Sequence, residues 1–129
     1  MKAVDTNIVA RFVIGDDPVQ AQRAAEILAG PCFVPSTVLL ETAWLLSSRF
    51  GLDRATVAET LRDLLRLPLL TAPSADQLDW ALDRFEAGAD FADMLHIVFA
   101  VGADSFVSFE KHLARYAGPD TPLPIETLT

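Results

Sequence analysis

The sequence predicts an α/β domain built on a mostly parallel sheet. Short apolar runs alternate with segments of 3.6-residue period, and Gly or Pro separates one from the next. The chain has 129 residues, of which 51% are apolar, enough to fill one sizeable core, so a single domain over residues 1–129 is expected.

The elements follow in order. Residues 2–4 form a first short strand that ends at Asp5, and residues 6–13 suit a short helix closed by Gly15-Asp16-Asp17-Pro18. Pro18 fits the first turn of a second helix reaching about residue 28, which Gly30-Pro31 stops. Cys32-Phe33-Val34 is an apolar run between prolines and reads as a buried strand. Ser36 is a suitable N-cap for a strongly apolar helix ending at Gly51, and Asp53 caps the next, where Val57, Leu61, Leu64 and Leu65 keep helical period up to Pro68. Residues 69–72 form another strand. Ser74 opens a helix with Leu78, Ala81, Leu82 and Phe85 on one face, ended by Gly88, and residues 90–101 continue as an apolar helix. A strand over 105–109, a short helix over 111–116 and a last strand over 123–126 complete the pattern. No repeat, low-complexity tract or linker interrupts it.

Several function classes are disfavoured by composition. No run approaches the ~18 apolar residues a membrane span requires, and no basic segment with a cleavage site opens the chain. A soluble, cytoplasmic protein is therefore expected. Cys32 is the only cysteine, and His96 and His112 are the only histidines, which excludes an intrachain disulfide and argues against a thiolate or His-rich metal centre. Any metal has to be a hard, oxygen-seeking cation such as Mg²⁺ or Mn²⁺. The net charge of −8 weighs against nucleic-acid binding, unless bound cations invert the local field.

Five acids fall where a metal site could gather them: Asp5, Glu41, Asp90, Asp93 and Glu110. Asp5 suits the N-cap of the helix from Thr6. It also stands at the carboxyl end of a strand, where parallel sheets place their ligands. Glu41 lies inside Thr37-Val38-Leu39-Leu40-Glu41-Thr42-Ala43-Trp44, and a Glu is rarely buried without a partner or a metal. Its alternative is a solvated stripe with Thr37 and Ser48. Asp90 and Asp93 share a helix face at an N-terminal turn, where the dipole favours negative charge. Asp90 reads equally as an N-cap, whereas Asp93 belongs to the apolar helix proper and better suits a ligand. Glu110 follows a strand and reaches the same sheet edge as Asp5, while Asp104 precedes that strand and is set aside. His96 reads as a core histidine with Asp93 as its one polar neighbour, His112 as surface and Cys32 as core packing.

These residue types suit phosphodiester hydrolysis. That reaction needs an activated water, in-line geometry and relief of charge on the leaving oxygen, which one or two divalent ions held by carboxylates supply. Carboxylates clustered without a cation repel one another, so the cluster itself predicts a metal.

Taken together, three segments resemble the PIN-domain family, in particular the toxin half of VapBC-type toxin–antitoxin pairs. They are Val4-Asp5-Thr6-Asn7-Ile8-Val9-Ala10-Arg11-Phe12 with Asp16-Asp17-Pro18, Pro35-Ser36-Thr37-Val38-Leu39-Leu40-Glu41-Thr42-Ala43-Trp44, and Asp90-Phe91-Ala92-Asp93-Met94-Leu95-His96. The resemblance spans nearly the whole chain. It implies a three-layer α/β/α sandwich with a central five-stranded parallel sheet in the order 3-2-1-4-5. It implies Asp5, Glu41 and Asp93 as catalytic metal ligands for Mg²⁺ or Mn²⁺, with Asp90 as an auxiliary. The fourth acidic position of the family is usually Asp. Here Ser108-Phe109-Glu110 puts the charge one methylene further out, so Glu110 is expected to act through a water. Asn7 and Ser108 fit as groups that orient the carboxylates.

The implied activity is metal-dependent cleavage of RNA by a toxin that a cognate antitoxin holds inactive, an Arg inserted among the acids being the natural inhibitor. A homodimer is expected as well, from the family and from the surplus of apolar residues on the helices over 36–51 and 53–67. Two alternatives stand beside this. One is a phosphatase using Asp5 as nucleophile, which normally wants a second acid two residues on, where this chain has Asn7. The other is a non-catalytic RNA- or protein-binding module. Arg11 could pair with Asp16 or Asp17, and Arg62 and Arg66 could line an RNA path or pair with Asp63 or Glu59.

Overall fold

A computed structural model describes residues 1–129. The chain divides into two compact units, Met1–Ala75 and Asp76–Thr129, each with its own buried apolar residues.

The first unit opens with β1 (Lys2–Ala3) and α1 (Thr6–Ile14). Asp5 caps α1 by accepting from the Ile8 N–H at 3.0 Å. Gly15 ends the helix with φ +69°, a left-handed conformation that a Cβ would strain. Asp17 then caps α2 (Pro18–Leu28) by accepting from the Gln20 N–H, with Pro18 in the first turn as its missing N–H allows. Next come β2 (Cys32–Phe33), α3 (Ser36–Ser48), α4 (Arg54–Leu65) and β3 (Leu70–Thr71). Ser36 is not the N-cap of α3. The extended residue before the helix is Pro35, which brings no side-chain acceptor, so its carbonyl alone receives the Val38 and Leu39 N–H groups. Asp53 caps α4 as expected, accepting from the Thr56 N–H at 2.8 Å.

β1, β2 and β3 lie side by side in that order, all parallel, with Lys2 opposite Cys32 and Cys32 opposite Leu70. Single bonds lengthen the ladder past the strand ends: the Val4 N–H donates to Phe33 O and the Val34 N–H to Thr71 O. Val9, Cys32, Val34, Leu39, Leu46, Val57, Leu61 and Leu64 are buried almost completely. Each such Leu contributes about 1.5–3 kcal/mol of transfer free energy.

In the second unit, α5 (Ala75–Glu86) is followed by α6 (Phe91–Val98), β4 (Phe106–Ser108), α7 (Leu113–Ala117) and β5 (Ile125–Thr127). α5 presents Leu78, Ala81, Leu82 and Phe85 inward, the face its periodicity predicts. The rings of Phe85 and Phe91 meet at 5.5 Å between centroids, tilted by 56°. Arg84 Nε donates to the Tyr116 carbonyl at 2.6 Å. Its guanidinium lies against Gly118, where φ is +76° and an added Cβ would sit 3.3 Å from the Arg84 Cζ. β4 and β5 pair in parallel, Phe106 opposite Ile125.

The expectation of an α/β chain with parallel strands holds. The five strands form two hydrogen-bonded sheets, β1-β2-β3 and β4-β5, rather than one sheet in the order 3-2-1-4-5. The neighbours within each sheet are those of that order. Strands of two or three residues offer few ladder bonds along an edge, so little backbone pairing is available to extend a sheet. The apolar helix expected over 90–101 stops at Val98. Phe99 leaves helical geometry, and Val101 forms an isolated bridge with Ala103.

Candidate active site

In the first unit the acids come from two elements remote in sequence. Asp5 stands at the β1–α1 junction and Glu41 midway along α3, and both border one open pocket together with Thr6, Asn7, Thr37 and Val38. α3 explains the placement of Glu41. Its buried side carries Leu39, Thr42, Ala43 and Leu46, while Thr37, Glu41, Trp44 and Ser48 face outward. Glu41 is thus exposed in a cleft rather than buried in the apolar helix, on the polar stripe with Thr37 and Ser48. The buried polar group of this helix is Thr42, whose hydroxyl donates to Val38 O at 2.7 Å. Asp5 is exposed too. One of its oxygens caps α1, and a carboxylate keeps further lone pairs for another ligand.

A second acidic set belongs to the second unit. Asp90 caps α6, accepting from the Asp93 N–H at 3.0 Å. Asp93 itself is half-buried in the first turn. Burial pushes its carboxyl above the usual aspartate range; Asp90 raises it further and Glu110 adds to this, while His96 pulls it down. Glu110 is fixed in the turn after β4: its N–H donates to Ser108 Oγ at 2.9 Å, and its carboxylate accepts from the His112 N–H at 3.1 Å. Ser108 therefore orients Glu110 through the backbone. His112 is exposed and Cys32 fully buried, as expected. His96 is exposed and not a core histidine; the buried face of α6 belongs to Phe91, Met94, Leu95, Ile97 and Val98.

Within neither unit do three His, Cys, Asp or Glu side chains gather closely enough to form a metal-holding group. Mg²⁺ asks less than that, since one or two protein carboxylates suffice and waters and substrate phosphate fill the remaining positions. The donors present are hard carboxylate oxygens, and the negative charge around Asp93 is of the kind a cation relieves. The residues fit such an ion.

The cations accompany these acids in ordinary ways. Arg11 pairs with Asp16 at 3.1 Å and Arg66 with Asp63 at 3.3 Å, both at the surface. Thr6 and Val38 border the Asp5–Glu41 pocket without having stood out in the sequence, and Thr37, read there only as part of a solvated stripe, borders it too. The spacing of Thr37 one turn before Glu41 is the signal that ties it to the pocket.

Carboxylates presented from a strand end and from helix faces of an α/β chain are hard oxygen donors of the kind a divalent ion takes. The PIN-domain family profile matches residues 2–119, and the chain belongs to that family. The PIN domain is generally a nuclease fold, and its members commonly use divalent metals such as Mg²⁺. No curated protein matches the chain. No helix is long and apolar enough to cross a membrane.

Proposed function

We propose that the chain is a Mg²⁺-dependent endoribonuclease, with Mn²⁺ able to substitute, and the toxin of a toxin–antitoxin pair. The observation that carries this reading is the meeting of Asp5 and Glu41, from remote parts of the sequence, around one pocket in a chain of the PIN-domain family. In this reading Asp5, Glu41 and Asp93 are the metal ligands, Asp90 assists, and Glu110 acts through a water. Asn7, which borders the same pocket, and Ser108, which fixes the Glu110 turn, orient the acids. When bound, such an ion would supply charge relief on the scissile phosphate and make a water more acidic.

The chain's own residues do the rest. The α1 cap holds Asp5 in one orientation, and α3 holds Glu41 on its exposed stripe. Asn7 stands where a phosphatase using Asp5 as nucleophile would want its second acid, which favours the nuclease. The same reading takes residues 1–129 as one three-layer PIN domain with strand order 3-2-1-4-5, cytoplasmic and homodimeric. Trp44, 64% exposed on α3, is a large apolar side chain that a partner subunit would cover. The cognate antitoxin inhibits by placing an Arg among the acids.

The test is incubation of purified protein with single-stranded RNA and Mg²⁺. Cleavage that stops on chelation, and that Asp5→Asn abolishes, is expected. RNA left intact by the wild-type chain at millimolar Mg²⁺ refutes the proposal.

A further inference from the structure

The pocket shared by Asp5 and Glu41 opens into a second cleft of about 290 Å³ between α1 and α3. The two have Thr6, Asn7 and Glu41 in common. Ala10, Ile14 and Leu45 give the second cleft an apolar lining, and Arg49 and Phe50 line it from the end of α3. Glu41, Leu45 and Arg49 follow one another at four-residue spacing, so one row on α3 leads from a carboxylate over an apolar stretch to a cation. That row is about 12 Å long at the rise of an α-helix.

Two features of this cleft are otherwise unexplained. The Arg49 guanidinium has no ion-pair partner, whereas Arg11 on the opposite wall is paired with Asp16. Phe50 leaves 40% of its surface to solvent although its backbone is tied down. Its N–H donates to Leu45 O at 3.2 Å, Gly51 turns the chain with φ +65°, and the Leu52 N–H returns to Leu46 O. An aromatic ring on a fixed turn beside an unpaired guanidinium is what a nucleotide uses, the ring for the base and the cation for the phosphate. The volume is near the ~300 Å³ lower limit of small-ligand pockets, closer to one nucleotide than to a peptide segment. Another cleft that Asp5 borders, between α1 and α2, contains Arg11 and Arg23 but neither Glu41 nor an aromatic residue.

We infer that this cleft is a nucleotide subsite for the RNA strand, in which Arg49 holds a phosphate flanking the cut and Phe50 stacks the neighbouring base. The inference rests on the ribonuclease reading and adds the binding residues on one side of the scissile bond. It also answers the net charge of −8, because a strand drawn along an acidic chain needs a local cation beside the metal.

The test measures binding of a short fluorescent oligouridylate by anisotropy over a salt series, with Mg²⁺, in the Asp5→Asn chain so that the RNA stays intact. Adding Arg49→Gln should flatten the slope of log affinity against log salt by about 0.7, the release of one counterion from a single strand. Arg49→Lys should restore that slope. Phe50→Ala should weaken binding about tenfold without changing the slope, and Phe50→Tyr should recover it. Both residues are exposed, and circular dichroism checks that each variant folds. Unchanged affinity and slope in Arg49→Gln and Phe50→Ala overturns the inference and leaves the cleft to a protein segment. If wild-type protein binds the RNA through these residues but never cuts it, the nuclease reading fails and the subsite stands. If the chain does not bind RNA at all, both fail.

Discussion

The two units present their acids in the same local way and at different electrostatic expense. Asp5 in the first and Asp90 in the second each cap a helix, accepting from the N–H three residues on at 3.0 Å. In the first unit the companion acid, Glu41, comes from a separate helix, and both carboxylates stand exposed. In the second, Asp93 follows one turn after Asp90 on the same helix and is half-buried, and burial, Asp90 and Glu110 all raise its pKa. Water screens exposed charges and does so less for a half-buried one. The comparison teaches that the first unit keeps its acids in water, while the second holds one carboxyl against desolvation first and charge repulsion second, a cost that a cation would relieve.

The sharpest way to break this comparison is to neutralise one acid in each unit. Asp5→Asn should lower cleavage by at least about 10²–10³-fold, the scale for losing one electrostatic contact to a transition state. Its melting temperature should hardly move, because Asn caps a helix as well as Asp. A large drop in Tm would show that the first unit also depends on this charge.

Asp93→Asn should abolish cleavage too, yet raise Tm in the presence of EDTA. The sign follows from linkage. A carboxyl whose pKa is raised in the folded chain binds its proton more readily there than when unfolded, so stability falls as pH rises from the ordinary aspartate range through the folded value. The gain from Asn is therefore full at neutral pH and vanishes in acid, where Asp93 is protonated in both states. Mg²⁺ should raise the Tm of the wild type and not of the variant. A Tm that falls at neutral pH in EDTA would end the account of a carboxylate held against burial and like charge.

A finer test separates the neighbours of Asp93. Asp90→Asn and Glu110→Gln should each lower the Asp93 pKa, followed by carboxyl-carbon NMR titration, and Asp90→Asn should lower it more. The same series with His96→Gln should raise it. Equal effects from the first two would place the charges differently around α6.

Much of this was legible in the sequence wherever chemistry is local. Asp5, Asp53 and Asp90 were readable as caps and their side chains do cap helix starts, and Gly15 ends α1 where its left-handed φ is needed; the Asp17 cap of α2 did not stand out. Arg11 with Asp16 and Arg66 with Asp63 lie within a few residues and could be paired on paper. What depended on long-range packing was harder to read. Glu41 looks buried because its neighbours in sequence are apolar. On the helix those neighbours point to the opposite side, and Trp44, a large apolar residue, shares its exposed face. His96 misled for the mirror reason: α6 is apolar along its length but buries only one side. The strands shrank to two or three residues because hydrogen-bond partners, not apolar composition, decide where a ladder stops. The Arg49–Phe50 cleft had no signature at all except the spacing of Glu41, Leu45 and Arg49.

The smallest expected effect lies in the second unit as well. Trp80 on α5 has its indole Nε1 buried without a hydrogen-bond partner, and such a group forfeits about 1–3 kcal/mol of hydration. Trp80→Phe removes the donor and gives up some contact area in exchange, so the net should be a stabilisation of no more than about 1 kcal/mol. Denaturant unfolding reads it as a rise in midpoint with an unchanged slope. Combined with Asp93→Asn the gains should add if the two costs are independent, and fall short if Trp80 helps desolvate the Asp93 carboxyl. A lower midpoint for Trp80→Phe alone would mean that packing of the indole outweighs its unmet donor, leaving Asp93 as the one place where this unit is held against its own preference.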